Sequence, residues 1–430
     1  MYSRIVSVLF YMFFTCVIFN PQVSGVTLYF YLVIPFFDPD FWRFLSATVR
    51  RWSGPLVIAI AVSMLGSPSA AARVLSIAIC IGYLMYTMDR RINYLHYWMG
   101  INIVFAMLQF TLYYTDRSLS WQLGPTQLAQ TIWGQYATKT FTNFFEIFYF
   151  ARVSGFSREA GFFSSLLMSS LILYLMTEKV KKKMVALYLL GLFIGFSKSS
   201  MLLFIFAALY PFRHTLRTVH PLVILVAFMG AVSMFGVFLA DHSFFGSQTF
   251  AHRFAGYPFL FDARLEDLLL GLNAQDVLKH YLYLPYIHLV QGEAIAGVPF
   301  AGLPASVAEM GLFSALLLFG VVAFTASDGF VMLLVLLITS TVSMTTVTSF
   351  VPIAYVILYW PRFAAYRGER MQQAANGFSG MAFNRLRRAR MSRAFLSPGL
   401  ETSLSVRDAS VHDATRTRFE SSKRLGRWRR

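Results

Sequence analysis

Gly161-Phe-Phe-Ser-Ser-Leu-Leu-Met-Ser-Ser-Leu-Ile-Leu-Tyr-Leu-Met-Thr177 carries no charge, and Glu178-Lys-Val-Lys-Lys-Lys183 follows it at once. As a helix at ~1.5 Å rise per residue this run extends for ~26 Å, close to the ~30 Å hydrocarbon core of a bilayer. Lysine and arginine concentrate in the cytoplasmic loops of membrane proteins. The lysine cluster therefore orients the segment, with Thr177 inside and Gly161 outside.

The same alternation of apolar run and short polar break fills most of the chain. Of 430 residues, 57% are apolar and 13% charged, whereas a soluble domain carries about 25% charged residues. Apolar spans lie near 5–20, 23–37, 54–67, 73–88, 94–114, 161–177, 184–196, 201–212, 221–240, 299–324, 329–345 and 347–361. The expected fold is an all-α polytopic membrane protein of about 12 transmembrane helices, within a range of about 10–13. Arg4 ahead of an apolar run resembles a signal peptide, but Asn20-Pro21-Gln22 is not a small-residue cleavage site, so the first span reads as retained. Cys16 and Cys80 both fall inside apolar spans, which argues against a disulfide framework.

With the N-terminus inside, Arg43, Arg50 and Arg51, then Arg90 and Arg91, Lys179 with Lys181 to Lys183, Arg213 with Arg217, and the C-terminal tail all fall on the cytoplasmic side. The outer side receives two long segments, 115–160 and 241–298. The membrane domain is expected over 1–361 and a basic cytoplasmic tail, partly without fixed structure, over 362–430. That tail holds 16 Lys/Arg against 5 Asp/Glu, most of the chain's net charge of +17. Its expected partner is anionic lipid rather than nucleic acid; a tail that merely fixes topology is the plainer reading.

Residues 184–212 have basic clusters at both ends, so two short helices must share them, with Ser197-Lys198-Ser199-Ser200 between. Each reaches only ~20 Å at 1.5 Å per residue, which places that polar turn below the outer surface, where irregular backbone needs protein or water beside it. Snorkelling of Lys198 to the interface is the alternative.

Soluble-enzyme signatures are absent: no P-loop, dinucleotide glycine pattern, zinc-type Cys/His spacing or nucleophile elbow. Chemistry must come from the outer segments. Arg152-Val-Ser-Gly155-Phe-Ser-Arg158-Glu159-Ala-Gly161 sets two arginines, a carboxylate and two glycines at the mouth of a span. Guanidinium forks suit phosphate oxygens, Gly155 and Gly161 allow sharp turns, and the helix start faces outward with its positive end. The second segment contributes His252-Arg253, Asp262-Ala-Arg264-Leu-Glu266-Asp267 and Gly271-Leu-Asn273, with 263–270 readable as a short helix on the membrane surface. His280 and His288 stand beside Tyr281, Tyr283 and Tyr286, which an interfacial aromatic belt explains as well as proton transfer does. Glu309, inside an apolar span, needs a partner such as Lys198, or a substrate hydroxyl.

Four of these elements, in this order, resemble the Wzy-type polysaccharide polymerases and the related O-antigen ligases: Arg152 to Gly161 as Arg-x-x-Gly-x-x-x-Glu-x-Gly, the Ser-basic-Ser turn Ser197 to Ser199, the outer loop with Arg253 and Gly271 to Asn273, and Glu309-x-Gly311. The likeness covers about residues 90–345. Ala160 stands where the family often has Pro, Lys198 where Arg is common, and Phe300 to Pro304 replace the His-Asn pair that ligases carry.

The resemblance implies a GT-C-like helical glycosyltransferase, inverting, without metal or cofactor, in a bacterial inner membrane with both termini cytoplasmic. Its substrate would be an oligosaccharide repeat on undecaprenyl diphosphate, joined into a polysaccharide, with a chain-length regulator as protein partner. Arg158, Arg253 and Glu159 would be catalytic, Arg152, Lys198 and Arg264 would hold diphosphate, and Gly155, Gly161, Ser197, Ser199, Gly271 and Glu309 would support them. The rival readings are an O-antigen ligase and a flippase for the same lipid-linked sugar; the absence of an internal repeat and the clustering of charge in two outer segments argue against the second.

Overall fold

A computed structural model describes residues 1–367 apart from 25, 67, 141–145, 148–149, 198–201, 242–252, 273, 288–299 and 341. The chain divides into two units, Met1–Arg362 and Phe363–Arg430, and the tail beyond residue 367 lies outside the described residues.

The first unit is mostly helical. In chain order its helices are α1 (Tyr2–Thr15), α2 (Phe30–Val33), α3 (Pro39–Gly66), α4 (Pro68–Asp89), α5 (Leu95–Thr115), α6 (Arg117–Gln122), α7 (Pro125–Trp133), α8 (Ala160–Thr177), α9 (Lys182–Gly195), α10 (Leu202–Leu209), α11 (Arg213–Thr218), α12 (Pro221–Asp241), α13 (Gly256–Asp262), α14 (Leu265–Leu270), α15 (Ala274–Tyr281), α16 (Gly302–Met310), α17 (Leu312–Thr325) and α18 (Gly329–Thr339). Residues 350–362 are helical too.

Among the described residues four helices, α4, α5, α8 and the first 19 residues of α12, are long and apolar enough to cross a membrane. This is the architecture of an all-α membrane protein. α8 is 72% buried over its apolar window and α12 only 17%, so α8 runs through the middle of the bundle while α12 turns Val223, Val226, Met234 and Phe238 outward. Within buried α8, Ser165 donates to the Gly161 carbonyl (3.0 Å) and Ser169 to the Ser165 carbonyl (2.6 Å), which satisfies two of its four serine hydroxyls inside the helix.

Three expectations are corrected. Residues 23–37 do not form a membrane-crossing helix. Strands β1 (Gln22–Val23) and β2 (Val26–Thr27) make a small antiparallel hairpin, followed by α2 and a 3₁₀ turn over Ile34–Phe37. Pro21 precedes this region, Pro35 lies within it and Ser24 is left-handed (φ 50°), so a continuous helix is blocked. Arg43, Arg50 and Arg51, expected in a loop, lie within α3. The apolar block 299–324 is broken: Gly311 (φ +83°) ends α16 and caps α17.

Contacts sort many helix ends into two sets. Ser3 donates to Asp38 (3.0 Å) and Asp40 (3.1 Å), Ser7 to the Ile92 carbonyl (2.6 Å), and His96 Nε2 lies 3.6 Å from Glu178. The starts of α1, α3 and α5 and the ends of α4 and α8 thus share one end of the bundle, with Arg43, Arg90, Arg91, Lys179 and Lys181. At the other end, Asn102 Nδ2 reaches the Thr15 carbonyl (3.3 Å), the Ile18 amide the Phe156 carbonyl (3.4 Å) and the Val153 amide the Ile194 carbonyl (3.4 Å). The β1–β2 hairpin docks there as well, through Thr27 on Thr138 (3.1 Å) and Gln22 on the Lys139 amide (2.6 Å).

Candidate functional site

The loop 152–158 is held by two amides buried in α5. Gln109 Oε1 accepts from the Gly155 amide (2.9 Å) while its Nε2 donates to the Gly155 carbonyl (3.3 Å) and the Leu123 carbonyl (2.6 Å). Asn102 Oδ1 accepts from the Phe156 amide (2.9 Å). Gly155 has φ +57°, and a Cβ there would fall 2.1 Å from Asn102 Oδ1, so both conformation and space demand glycine. Phe156 then stacks on Phe105 at 3.9 Å between centroids. Polar hooks within an apolar span thereby fix the direction in which the loop leaves for α8.

Glu159 occupies the N-cap position of α8 in extended conformation. Its carboxylate folds back beside Gly161, whose Cβ position is 3.2 Å from Glu159 Oε1, and so stays at the positive end of the helix. Arg158 places its guanidinium 5.8 Å from the Phe162 ring centroid, and its charge acts on Tyr29. Tyr29, just after the β1–β2 hairpin, is therefore within electrostatic reach of Arg158.

Arg253 enters from the other outer segment, one turn before α13. Helix α12 packs closely on that segment: a Cβ on Gly236 would lie 3.0 Å from the Tyr257 Cβ and 3.3 Å from the Phe254 carbonyl oxygen. Burial lowers the Arg253 pKa below the usual arginine range; Glu159 opposes the shift and the positive charge of Arg152 adds to it. Burial likewise lowers that of Arg152, again against Glu159. Arg152, Glu159 and Arg253 are thus electrostatic neighbours, all half-buried. The Arg152 Nε is buried without a hydrogen-bond partner. Partly desolvated guanidiniums sharing one carboxylate favour an added anion.

Compared with protein-family models, curated proteins and solved structures, the chain matches none. Its chemistry rests on this geometry alone.

The remaining sequence candidates fall as follows. Ser197 is buried just after α9, whose Gly195 packs against Ser164 and Phe163 at the start of α8. Lys198, Ser199, His252, Asn273 and His288 lie outside the described residues. Arg264 is exposed at the start of α14; its amide donates to Tyr281 Oη (3.0 Å) and its charge acts on Tyr281. Tyr281 and Tyr286 are buried and donate to Asp267 and Asp262. They fasten the outer segment internally instead of forming an aromatic belt; only Tyr283 of the three is exposed.

Glu309 is paired with Arg73, a residue not recognised in the sequence. Arg73 Nη1 reaches Oε1 at 3.2 Å and Nη2 reaches Oε2 at 3.1 Å, and Thr345 Oγ1 donates to Oε2 at 2.9 Å. The expected partner Lys198 is not needed to satisfy this carboxylate. Gly271 and Gly311 lie back to back: a Cβ on Gly271 would meet the Gly311 amide nitrogen at 2.8 Å, and the Leu272 amide donates to the Ala308 carbonyl at 2.6 Å. Two elements recognised separately in the sequence are thus one joint. Among the described residues no three His, Cys, Asp or Glu side chains converge as a metal-binding group.

Proposed function

We propose that the chain is a membrane glycosyltransferase that polymerises lipid-diphosphate-linked oligosaccharide repeats. One observation carries this reading: Arg152 and Glu159, and Arg253 about a hundred residues later, act on one another electrostatically at one end of the bundle. Two guanidiniums, with Arg158 beside Glu159, outweigh the single carboxylate and suit the two negative charges of a diphosphate.

In the proposed reaction the acceptor sugar's hydroxyl oxygen attacks the anomeric carbon of the donor glycan. The bond from that carbon to the diphosphate oxygen breaks with inversion, and its electron pair leaves with the lipid diphosphate. The hydroxyl proton passes to Glu159, which otherwise orients the arginines. Fixed guanidiniums in a water-poor site stabilise the charge that grows on the leaving group. This reading places about 12 passes in a bacterial inner membrane, with the lysine-bearing end and the tail in the cytoplasm, the tail against anionic lipid and the arginine site outside.

Arg158→Ala and Arg253→Ala, expressed at wild-type level in a strain lacking the chromosomal copy, are expected to leave single repeats exposed outside the cell and little or no long polymer. Long polymer of normal length from both variants sinks the assignment. Repeats trapped inside after deletion of the gene would indicate a flippase; single polymer chains left unattached to lipid A core would indicate a ligase.

A further inference from the structure

The Arg73–Glu309 pair lies in neither outer segment, yet both oxygens of its carboxylate are bonded and it joins residues 236 positions apart. We propose that Arg73 is a positioning residue for the anion site: through Glu309 it fixes α16, and through α16 the segment that presents Arg253. The inference rests on reading that site as a diphosphate site.

Arg73 sits near the start of α4 and grips both carboxylate oxygens, at 3.2 and 3.1 Å. A two-pronged bond of this kind sets orientation as well as distance. Thr345 donates to the same carboxylate (2.9 Å), Ser343 bonds Thr345 (2.9 Å), and Ser343 also meets Ser306 (3.0 Å), one turn before Glu309 on α16. Helix α16 is therefore tied to α4 and to the 343–345 turn at two successive turns and cannot rotate without breaking those bonds. The side chains of Arg73 and Glu309 are 30% and 15% exposed, so removal of either leaves the other charge half-buried without its partner.

Helix α16 is in turn the surface on which the Arg253 segment rests. Gly256, three residues after Arg253, has no space for a Cβ, with Pro304 Cβ at 2.7 Å and Phe300 Cβ at 3.1 Å. Farther along, the Leu272 amide bonds the Ala308 carbonyl and Gly271 abuts Gly311. The chain that follows Arg253 thus rests on α16 at two places, Gly256 and Gly271. The opposite neighbour, α12, holds it by apolar packing, around Gly236 and through Phe235 edge-on to Phe254 at 5.5 Å. A rotation of α16 therefore moves Arg253 relative to Arg152 and Glu159, which stand on a loop fixed by α5. A displacement of about 1 Å in such a constellation can cost on the order of a hundredfold.

The test uses full-length protein in detergent and inorganic pyrophosphate as probe, with affinity read by titration. Wild type binds. Arg253→Lys weakens binding measurably. Arg73→Ala weakens it about tenfold or more, and Arg73→Lys, which keeps the charge without the fork, falls between and serves should the alanine variant not fold. Exchange of the pair, Arg73→Glu with Glu309→Arg, recovers affinity to within about threefold, because the two-pronged bond re-forms. Arg73→Ala or →Lys adds little once Arg253 is already Lys, since residues acting through one another are non-additive; a general loosening of the fold would add in full. Wild-type affinity in Arg73→Ala, or full additivity, overturns this inference while the anion site stands. Wild-type affinity in Arg253→Lys and Arg253→Ala overturns the anion site and this inference with it.

Discussion

Gly155 illustrates how one residue controls the direction of the loop 152–158. Its left-handed φ costs an L side chain about 1–2 kcal/mol, and a methyl group would strike Asn102 Oδ1. Gly155→Ala is expected to displace Asn102 and leave the half-buried Phe156 amide without its acceptor, at a further cost of about 1–3 kcal/mol. Asn102→Ala should share the second cost and escape the first. Thermal unfolding in detergent should therefore rank wild type above Asn102→Ala above Gly155→Ala; equal midpoints would mean that the loop is not clamped from α5. At this scale the sequence was partly legible. Arg152, Arg158, Glu159 and Arg253 stand out because charge is scarce on the outer side of a membrane protein. Asn102, Gln109 and Arg73 carry a legible signal as well, a polar residue inside an apolar span. That signal says only that a partner exists; the partners lie 54, 46 and 236 residues away.

Elements depend on local stops that hydropathy does not register. The apolar block 299–324 reads as one helix, but Gly311 divides it because its amide region must meet the backbone of Leu269 and Gly271. Gly311→Ala would place Cβ 2.3 Å from the Leu269 carbonyl oxygen at φ +83°. It should push α14 off α16 and free the outer segment. Limited trypsin digestion would detect this as faster cleavage after the exposed Arg264 than in wild type; an unchanged cleavage rate counts against the joint. The 23–37 region errs in the other direction. Its mean apolarity suits a span, whereas Pro35 and the turn at Ser24 forbid one. Even so, the chain returns to its starting end, since the Phe30 amide bonds Asn20 and Asp38 bonds Ser3. The chain thus runs between the two ends of the bundle without a regular helix.

For the whole molecule the arrangement predicts sidedness. Cysteines at Arg117 and Tyr283, both exposed, should react from outside intact cells with a membrane-impermeant maleimide. A cysteine at exposed Lys179 should react only after permeabilisation. Native Cys16 and Cys80 are buried and give little background. Labelling of all three positions from the same side would invert the proposed topology and detach the arginine site from an extracytoplasmic substrate.

The amino-acid sequence alone determined that the chain is a helical membrane protein, which end of most segments carries the lysines and arginines, and which outer stretches are dense in guanidinium groups. Those properties are sums over neighbouring residues, and bilayer thickness and charge placement act on such sums directly. The tertiary structure decided that Arg253 comes within electrostatic reach of Arg152 and Glu159, that Glu309 belongs to Arg73, and that Gly271 and Gly311 form one joint. Each of these joins residues far apart in the chain through close packing and directional bonds, and no local average of sequence contains that information.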